Sequence, residues 1–140
     1  MNAVGTPDPI SLEYCTNNED TWQPYTVGDT LTIANGQKVK FRGNNSTFSK
    51  GDNDYYNFAM TEKIAASGSE MNLIDQANDY RIVGNYMFAY LFKDCASLET
   101  APELPATQLA NYYYRNMFQG CTSLTTAPAL PATTLANSCY

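Results

Sequence analysis

CASLETAPELPATQLAN, residues 95–111, returns as CTSLTTAPALPATTLAN, residues 121–137, at a constant offset of 26. Only the pairs 96/122, 99/125, 103/129 and 108/134 differ, so thirteen of the seventeen positions are identical. A tandem period in the twenties marks a unit that cannot bury its own apolar face and must stack on a copy of itself. The expected architecture of this half of the chain is therefore a solenoid.

Working upstream, NYMFAYLFKDC (85–95) aligns with NYYYRNMFQGC (111–121) at the same offset. Tyr114, Met117 and Phe118 fall at i, i+3 and i+4, as do Phe88, Leu91 and Phe92, so the spacing predicts one short amphipathic helix per repeat. Gly120 stands where a left-handed cap would end that helix, and Asp94 holds the same place in the first copy. Leu98 and Leu124 then open a short strand. Pro102 and Pro105, or Pro128 and Pro131, stop it, because proline cannot donate to a ladder. The second copy reaches Tyr140, the position from which Tyr114 leads on into RNMFQGC, so the natural protein is expected to continue. An uncovered repeat carrying Leu124, Leu130, Leu135 and Tyr140 predicts self-association through that end.

From Pro9 to Ile74 the apolar residues alternate at short range between turn residues, which predicts strands. Ile10, Leu12 and Tyr14 form one, and Trp22 and Tyr25 return as its hairpin partner with Trp22 in the core. Leu31 and Ile33, Asn35-Gly36, and Val39 and Phe41 read as the plainest hairpin of the chain. Residues 43–54 read as an exposed loop around Phe48. Strands are expected again at Tyr55 to Met60 and at Ile64 to Ala66, before Met71, Leu73 and Ile74 close the module. The fold class is therefore α+β. Residues 1–76 form a small antiparallel β-sandwich that caps the repeats, and residues 77–140 form a solenoid of short strands and short helices.

Composition removes several functions. Eight Lys and Arg against fourteen Asp and Glu leave a net charge of −6, with no basic cluster to neutralise a phosphate backbone, so nucleic acid is not an expected partner. Histidine is absent, which removes the commonest general base, the commonest zinc ligand and any Ser-His or Cys-His pair. Cys15, Cys95, Cys121 and Cys139 form no CxxC and read as buried free thiols. No metal or cofactor is expected. Gly51-Asp52-Asn53-Asp54 lacks the bidentate Glu of a calcium loop, and CTNNEDTW (15–22) lacks the Ser, Asp and Gly of a sialidase Asp-box. Asn44-Asn45-Ser46-Thr47 contains two overlapping glycosylation acceptors, which carry meaning only on a eukaryotic secretory route. No apolar run approaches the ~18 residues of a membrane span, and MNAVGTPDPI has no signal core, so no membrane insertion is expected.

The segments LFKDCASLETAPELPATQLANYYY and MFQGCTSLTTAPALPATTLANSCY resemble the repeats of the BspA-like leucine-rich repeat family. DPISLEYCTNNEDTWQPYTVGDTLTIANGQKVKFRGNNSTFS followed by KIAASGSEMNLID resembles the β-domain that precedes such repeats in surface proteins of gut bacteria and their phage-encoded relatives. The resemblance implies a leucine-rich-repeat-like solenoid in a non-enzymatic binding or adhesion module. It would be extracellular, at a cell or virion surface, with a host or bacterial surface protein or glycan as partner. The alternative is a structural spacer with no ligand of its own. The family has no catalytic residues to carry over.

Candidate ligand contacts come from the repeat itself. Glu99 and Glu103 become Thr125 and Ala129 in the second copy, and variable positions in a fixed repeat are where such proteins place exposed faces. The tyrosines at 86, 90, 112, 113 and 114 suggest an aromatic patch. Tyr90 and Tyr113 are the expected surface members, with Tyr86 and Tyr114 packing inside. The candidate ligand-binding residues are thus Tyr90, Glu99, Glu103, Tyr113 and Thr125.

Overall fold

The structure is a computed structural model that describes residues 1–16, 21–75 and 84–140. The proposed module boundary at 76/77 lies outside the described residues. Among the described residues eight short strands are present: β1 Asn2–Val4, β2 Leu12–Thr16, β3 Gln23–Tyr25, β4 Val39–Gly43, β5 Ser49–Gly51, β6 Asp54–Asn57, β7 Ile64–Ala65 and β8 Leu98–Thr100. They form two three-stranded antiparallel sheets, ordered β1-β6-β5 and β3-β2-β4, and a parallel pair β7-β8. A 3-10 turn at Glu70–Leu73 is capped by Ser69, whose hydroxyl accepts from the Met71 N–H.

The β2-β3 hairpin expected from Leu12 to Tyr25 forms, with Leu12 opposite Tyr25. The one expected between Leu31 and Phe41 does not. Its turn survives as a Gln37 N–H to Ala34 carbonyl bond, but Val39–Gly43 pairs with β2 instead, setting Tyr14 opposite Phe41. The alternative partner offers more. Tyr14, Tyr25 and Phe41 pack edge-on or tilted at 5.4 to 6.5 Å, and Arg42 pairs with Glu13 at 2.7 Å across the same strands. Trp22 is only half-buried, with the Arg42 guanidinium 4.1 Å above its ring. Phe48 is not in an exposed loop: it is fully buried, between Tyr56 and Phe88.

The α+β reading is overturned. No α-helix occurs among the described residues, and the regular structure is strand in three small sheets, so the leucine-rich-repeat-like solenoid of short strands and short helices is not what this chain builds. Where helices were expected, residues 85–94 and 111–120 form chains of overlapping turns. Odd-numbered N–H groups close the turns, as Ala89 to the Tyr86 carbonyl and Leu91 to that of Phe88. Even-numbered N–H groups leave the coil altogether. Tyr86, Phe88, Tyr90, Phe92 and Asp94 donate to the carbonyls of Asn111, Tyr113, Arg115, Met117 and Gln119, at 2.7 to 3.0 Å. Every fourth residue is left-handed, at Tyr86, Tyr90 and Asp94 and again at Tyr112, Asn116 and Gly120. A helix would direct those amides to its own carbonyls four residues back; here half of them bond to the neighbouring copy.

The two copies therefore lie side by side in register. Asn111 N–H donates to the Asn85 side chain, and Asn137 N–H to that of Asn111. Parallel rings run through the stack as Phe48–Phe88–Tyr114–Tyr140, at 5.9 to 6.1 Å, and as Phe58–Phe92–Phe118, at 5.2 and 5.8 Å. Cys95 and Cys121 donate through Sγ to the carbonyls of Phe58 and Phe92. Leu98 is fully buried, whereas Leu124 is partly covered.

The N-terminal residues close the first coil by supplying donors to its carbonyls. Phe48 and Phe58 N–H bond to Met87 and Leu91, and the Asn57 side chain donates to Lys93. β7 does the same for the strand of the repeat, with Ile64 opposite Leu98. One hydrophobic core consequently runs from Met1 to Cys139.

Candidate functional site

The repeat period sets Tyr86 beside Tyr112, because both occupy the second position of the NY pair that opens each coil. Their rings stack at 4.5 Å and 19°, half-exposed, and the Arg115 guanidinium lies 5.2 Å over Tyr112. Arg115 reaches back to Asp52 in the β5-β6 turn at 3.2 Å, and the other oxygen of Asp52 accepts from the Tyr90 hydroxyl at 2.7 Å. One carboxylate thus joins the N-terminal sheet to both copies of the repeat.

Tyr90 stacks on Tyr55 at 4.5 Å, with Lys93 Nζ within 5.6 Å of both rings and 3.4 Å from the Tyr55 hydroxyl. Burial first, and then its bond to Asp52, raises the Tyr90 phenol above its usual range. It is a neutral donor at physiological pH. The resulting face combines two half-exposed tyrosines, a carboxylate and two cations. Such a surface can stack on apolar or sugar faces, and it can exchange hydrogen bonds through hydroxyls and guanidinium.

Only part of the expected ligand set lies at the surface. Tyr113 is fully buried, its hydroxyl 3.8 Å from Met71 Sδ, and Tyr90 is buried beneath the Lys93 and Asp52 contacts, so neither is an exposed aromatic. Tyr114 is buried as expected, whereas Tyr86, expected inside, is half-exposed. The reason is the turn chain: it sends Tyr113 to the core and Tyr112 to the rim, where a helix would have grouped them differently. Glu99, Glu103 and Thr125 are exposed. Glu99 pairs with Lys63 at 2.9 Å, and the Glu103 N–H bonds to the Gly68 carbonyl. No hydrogen bond or ring contact among the described residues joins them to the tyrosine face.

Asp52 and Arg115 are the members that sequence reasoning missed; Tyr112 belongs to the expected aromatic patch but not to the candidate contacts. The identity of Tyr86 and Tyr112 across the repeat was the signal for the stack; nothing in the sequence links Asp52 to it. Among the described residues no three acidic or thiol groups gather as a metal site, and no helix is long and apolar enough to cross a membrane. No family model matches the chain, and neither the curated proteins nor the solved structures contain a match to it.

Proposed function

We propose that the chain is a non-catalytic binding module of a cell or virion surface, which recognises a protein or glycan through the rim of its repeats. The observation that carries this reading is the Tyr86–Tyr112 stack with Arg115 and Asp52, a half-exposed aromatic pair set by the chain's own period with a charged pair beside it. The resemblance of the repeats to the BspA-like family supports the surface setting and a host or bacterial ligand. Exposed Glu99, Glu103 and Thr125 add a second polar strip on the same repeats.

The test is saturable binding on a glycan array and against surface extracts, compared with a Tyr86→Ser/Tyr112→Ser variant. Loss of about tenfold or more in affinity with unchanged thermal stability supports the reading. Binding untouched by the double substitution, or no ligand on either panel, overturns it in favour of a spacer.

A further inference from the structure

Glu70 is 3% exposed and stands where three segments of the chain meet. From the second coil, the Tyr114 hydroxyl donates to its Oε1 at 2.6 Å, and the Tyr113 hydroxyl reaches Sδ of Met71, the next residue of the 3-10 turn, at 3.8 Å. From beyond β8, Glu103 runs parallel to Ser69 and donates its N–H to the Gly68 carbonyl at 2.9 Å. The far end of the turn is tied to the N-terminal sheets, because Asn45 donates to the Leu73 and Ile74 carbonyls at 2.7 and 3.1 Å.

The two protonation states of the carboxyl fit this place unequally. Oε2 is buried with no partner among the described residues, and no Lys or Arg among them pairs with the group. The titratable groups that face it are Tyr113 and Tyr114 from the coil and Glu103 from the segment after β8. Burial first, and then Glu70 itself, raises both phenols above their usual range, so they stay neutral hydroxyls, while Glu103 adds only negative charge. A neutral carboxyl is served by the Tyr114 bond. An ionised one leaves a charged oxygen in an apolar site with no cation beside it.

We infer that Glu70 is a proton-operated latch between the 3-10 turn and the second coil: its neutral carboxyl closes the joint on Tyr114, and its carboxylate opens that joint locally. Desolvation pushes the carboxyl up to about 7, so the latch is shut at pH 5 and loosens as pH rises through about 7. The turn can give at one end. Gly68 has a φ of 78° and nothing within 4 Å of where a Cβ would lie, whereas Leu73 and Ile74 are held by Asn45. Opening therefore involves the stretch from Gly68 to Met71 and its contacts with Tyr113, Tyr114 and Glu103, and leaves the β2–β4 ladder in place. Such a two-state contact biased by one proton needs no ligand at the tyrosine rim and does not depend on it.

The test is amide hydrogen exchange of the full chain at pH 5 and pH 8, expressed as protection factors so that the intrinsic pH dependence cancels, together with an NMR titration of the Glu70 carboxyl carbon. The reporters are the amides of Met71, Asn72 and Glu103, which bond to Ser69 Oγ, the Ser69 carbonyl and the Gly68 carbonyl. Their protection should fall about tenfold or more at pH 8, with the β2–β4 amides unchanged and the carboxyl midpoint near 7. Glu70→Gln should keep the joint closed at both pH values. Two further variants leave the carboxyl in place: Tyr114→Phe should raise its midpoint, since the lost bond favours the ionised form, and Glu103→Gln should lower it. A midpoint below pH 5, shifts of the opposite sign in these variants, or protection at the three reporters that does not change with pH overturns the latch. So does an equal loss in the β2–β4 ladder, which would mean that the whole fold weakens and no joint opens by itself.

Discussion

The Tyr114 hydroxyl donates to Glu70 Oε1 at 2.6 Å, joining the second coil to the 3-10 turn across 44 residues of sequence in a place where both side chains are buried. Oε2 of the same carboxyl is buried with no partner among the described residues. Desolvation pushes the Glu70 carboxyl up to about 7; the Tyr114 bond pulls the other way and the charge of Glu103 adds to the rise.

A carboxyl whose folded pKa lies above its unfolded value of 4.5 binds more protons folded than unfolded. Its contribution to stability is complete below pH 4.5 and is lost as pH rises through about 7, a difference of about 3 kcal/mol by the linkage relation. Denaturant unfolding at pH 5 and pH 8 should show this loss in the native chain. Glu70→Gln should flatten it and be the more stable form at pH 8. A pH-independent difference between the two proteins would refute the assignment.

Asn45 binds the start of β2 to the end of the 3-10 turn. Its Oδ1 accepts from Ser11 N–H at 2.7 Å, and its Nδ2 donates to the carbonyls of Ser11 and Leu73 at 3.0 and 2.7 Å. Asn45→Ala should cost about 2 to 3 kcal/mol in urea unfolding, because three bonds go and two carbonyls lose a donor. Gly43 tests the same junction: a Cβ there would lie 2.6 Å from the Leu73 carbonyl oxygen and 2.7 Å from that of Ser11. Gly43→Ala should therefore destabilise the same junction, because the added Cβ also meets Asn45 Nδ2 at 2.5 Å.

Asp94 and Gly120 occupy one position in successive copies, at φ of 62° and 78°. A side chain at 120 would be strained by its left-handed backbone and would also meet Asp94, whose Cα lies 3.1 Å from the added Cβ. Gly120→Ala should lower stability by more than 1 kcal/mol, and Asp94→Gly should raise it by about 1 kcal/mol or less. Thermal unfolding of the two variants gives the comparison, and equal effects of one sign would contradict it.

All four cysteines are free and buried. Burial, with smaller repulsion from Cys121 and Asp94, pushes the Cys95 thiol up to about 12 from 9.0. Its thiolate population falls by about a thousandfold at a given pH, so alkylation in the native chain should be slower than in denaturant by at least that factor. Mass spectrometry after iodoacetamide treatment at pH 8 reads this directly. Rapid native labelling at Cys95 would show that the stack opens there.

The repeat and most of its interior were legible from the sequence alone. Phe88, Leu91, Phe92, Cys95 and Leu98 are buried as their spacing predicts, because the pattern of apolar residues states which side chains avoid water whatever backbone delivers them. The same spacing could not distinguish a helix from a chain of turns. Both place i, i+3 and i+4 inward, and the choice was made by carbonyls about 25 residues away that accept the even-numbered amides. The Leu31–Phe41 hairpin failed for a similar reason: its turn residues were local, but β2 supplied a better partner for Val39–Gly43.

Phe48 was misread because a polar neighbourhood predicts a loop, and only the arrival of Phe88 and Tyr56 gives its ring a buried place. The rim of the candidate site was half legible. Tyr86 and Tyr112 announce themselves by the period, while Asp52 enters only where the β5-β6 turn meets the coils. Local sequence determined the period, the turn residues and the apolar set, since these depend on neighbours along the chain. Which amide meets which carbonyl, and which tyrosine faces water, is a property of distant segments brought together, and the tertiary structure alone decided it.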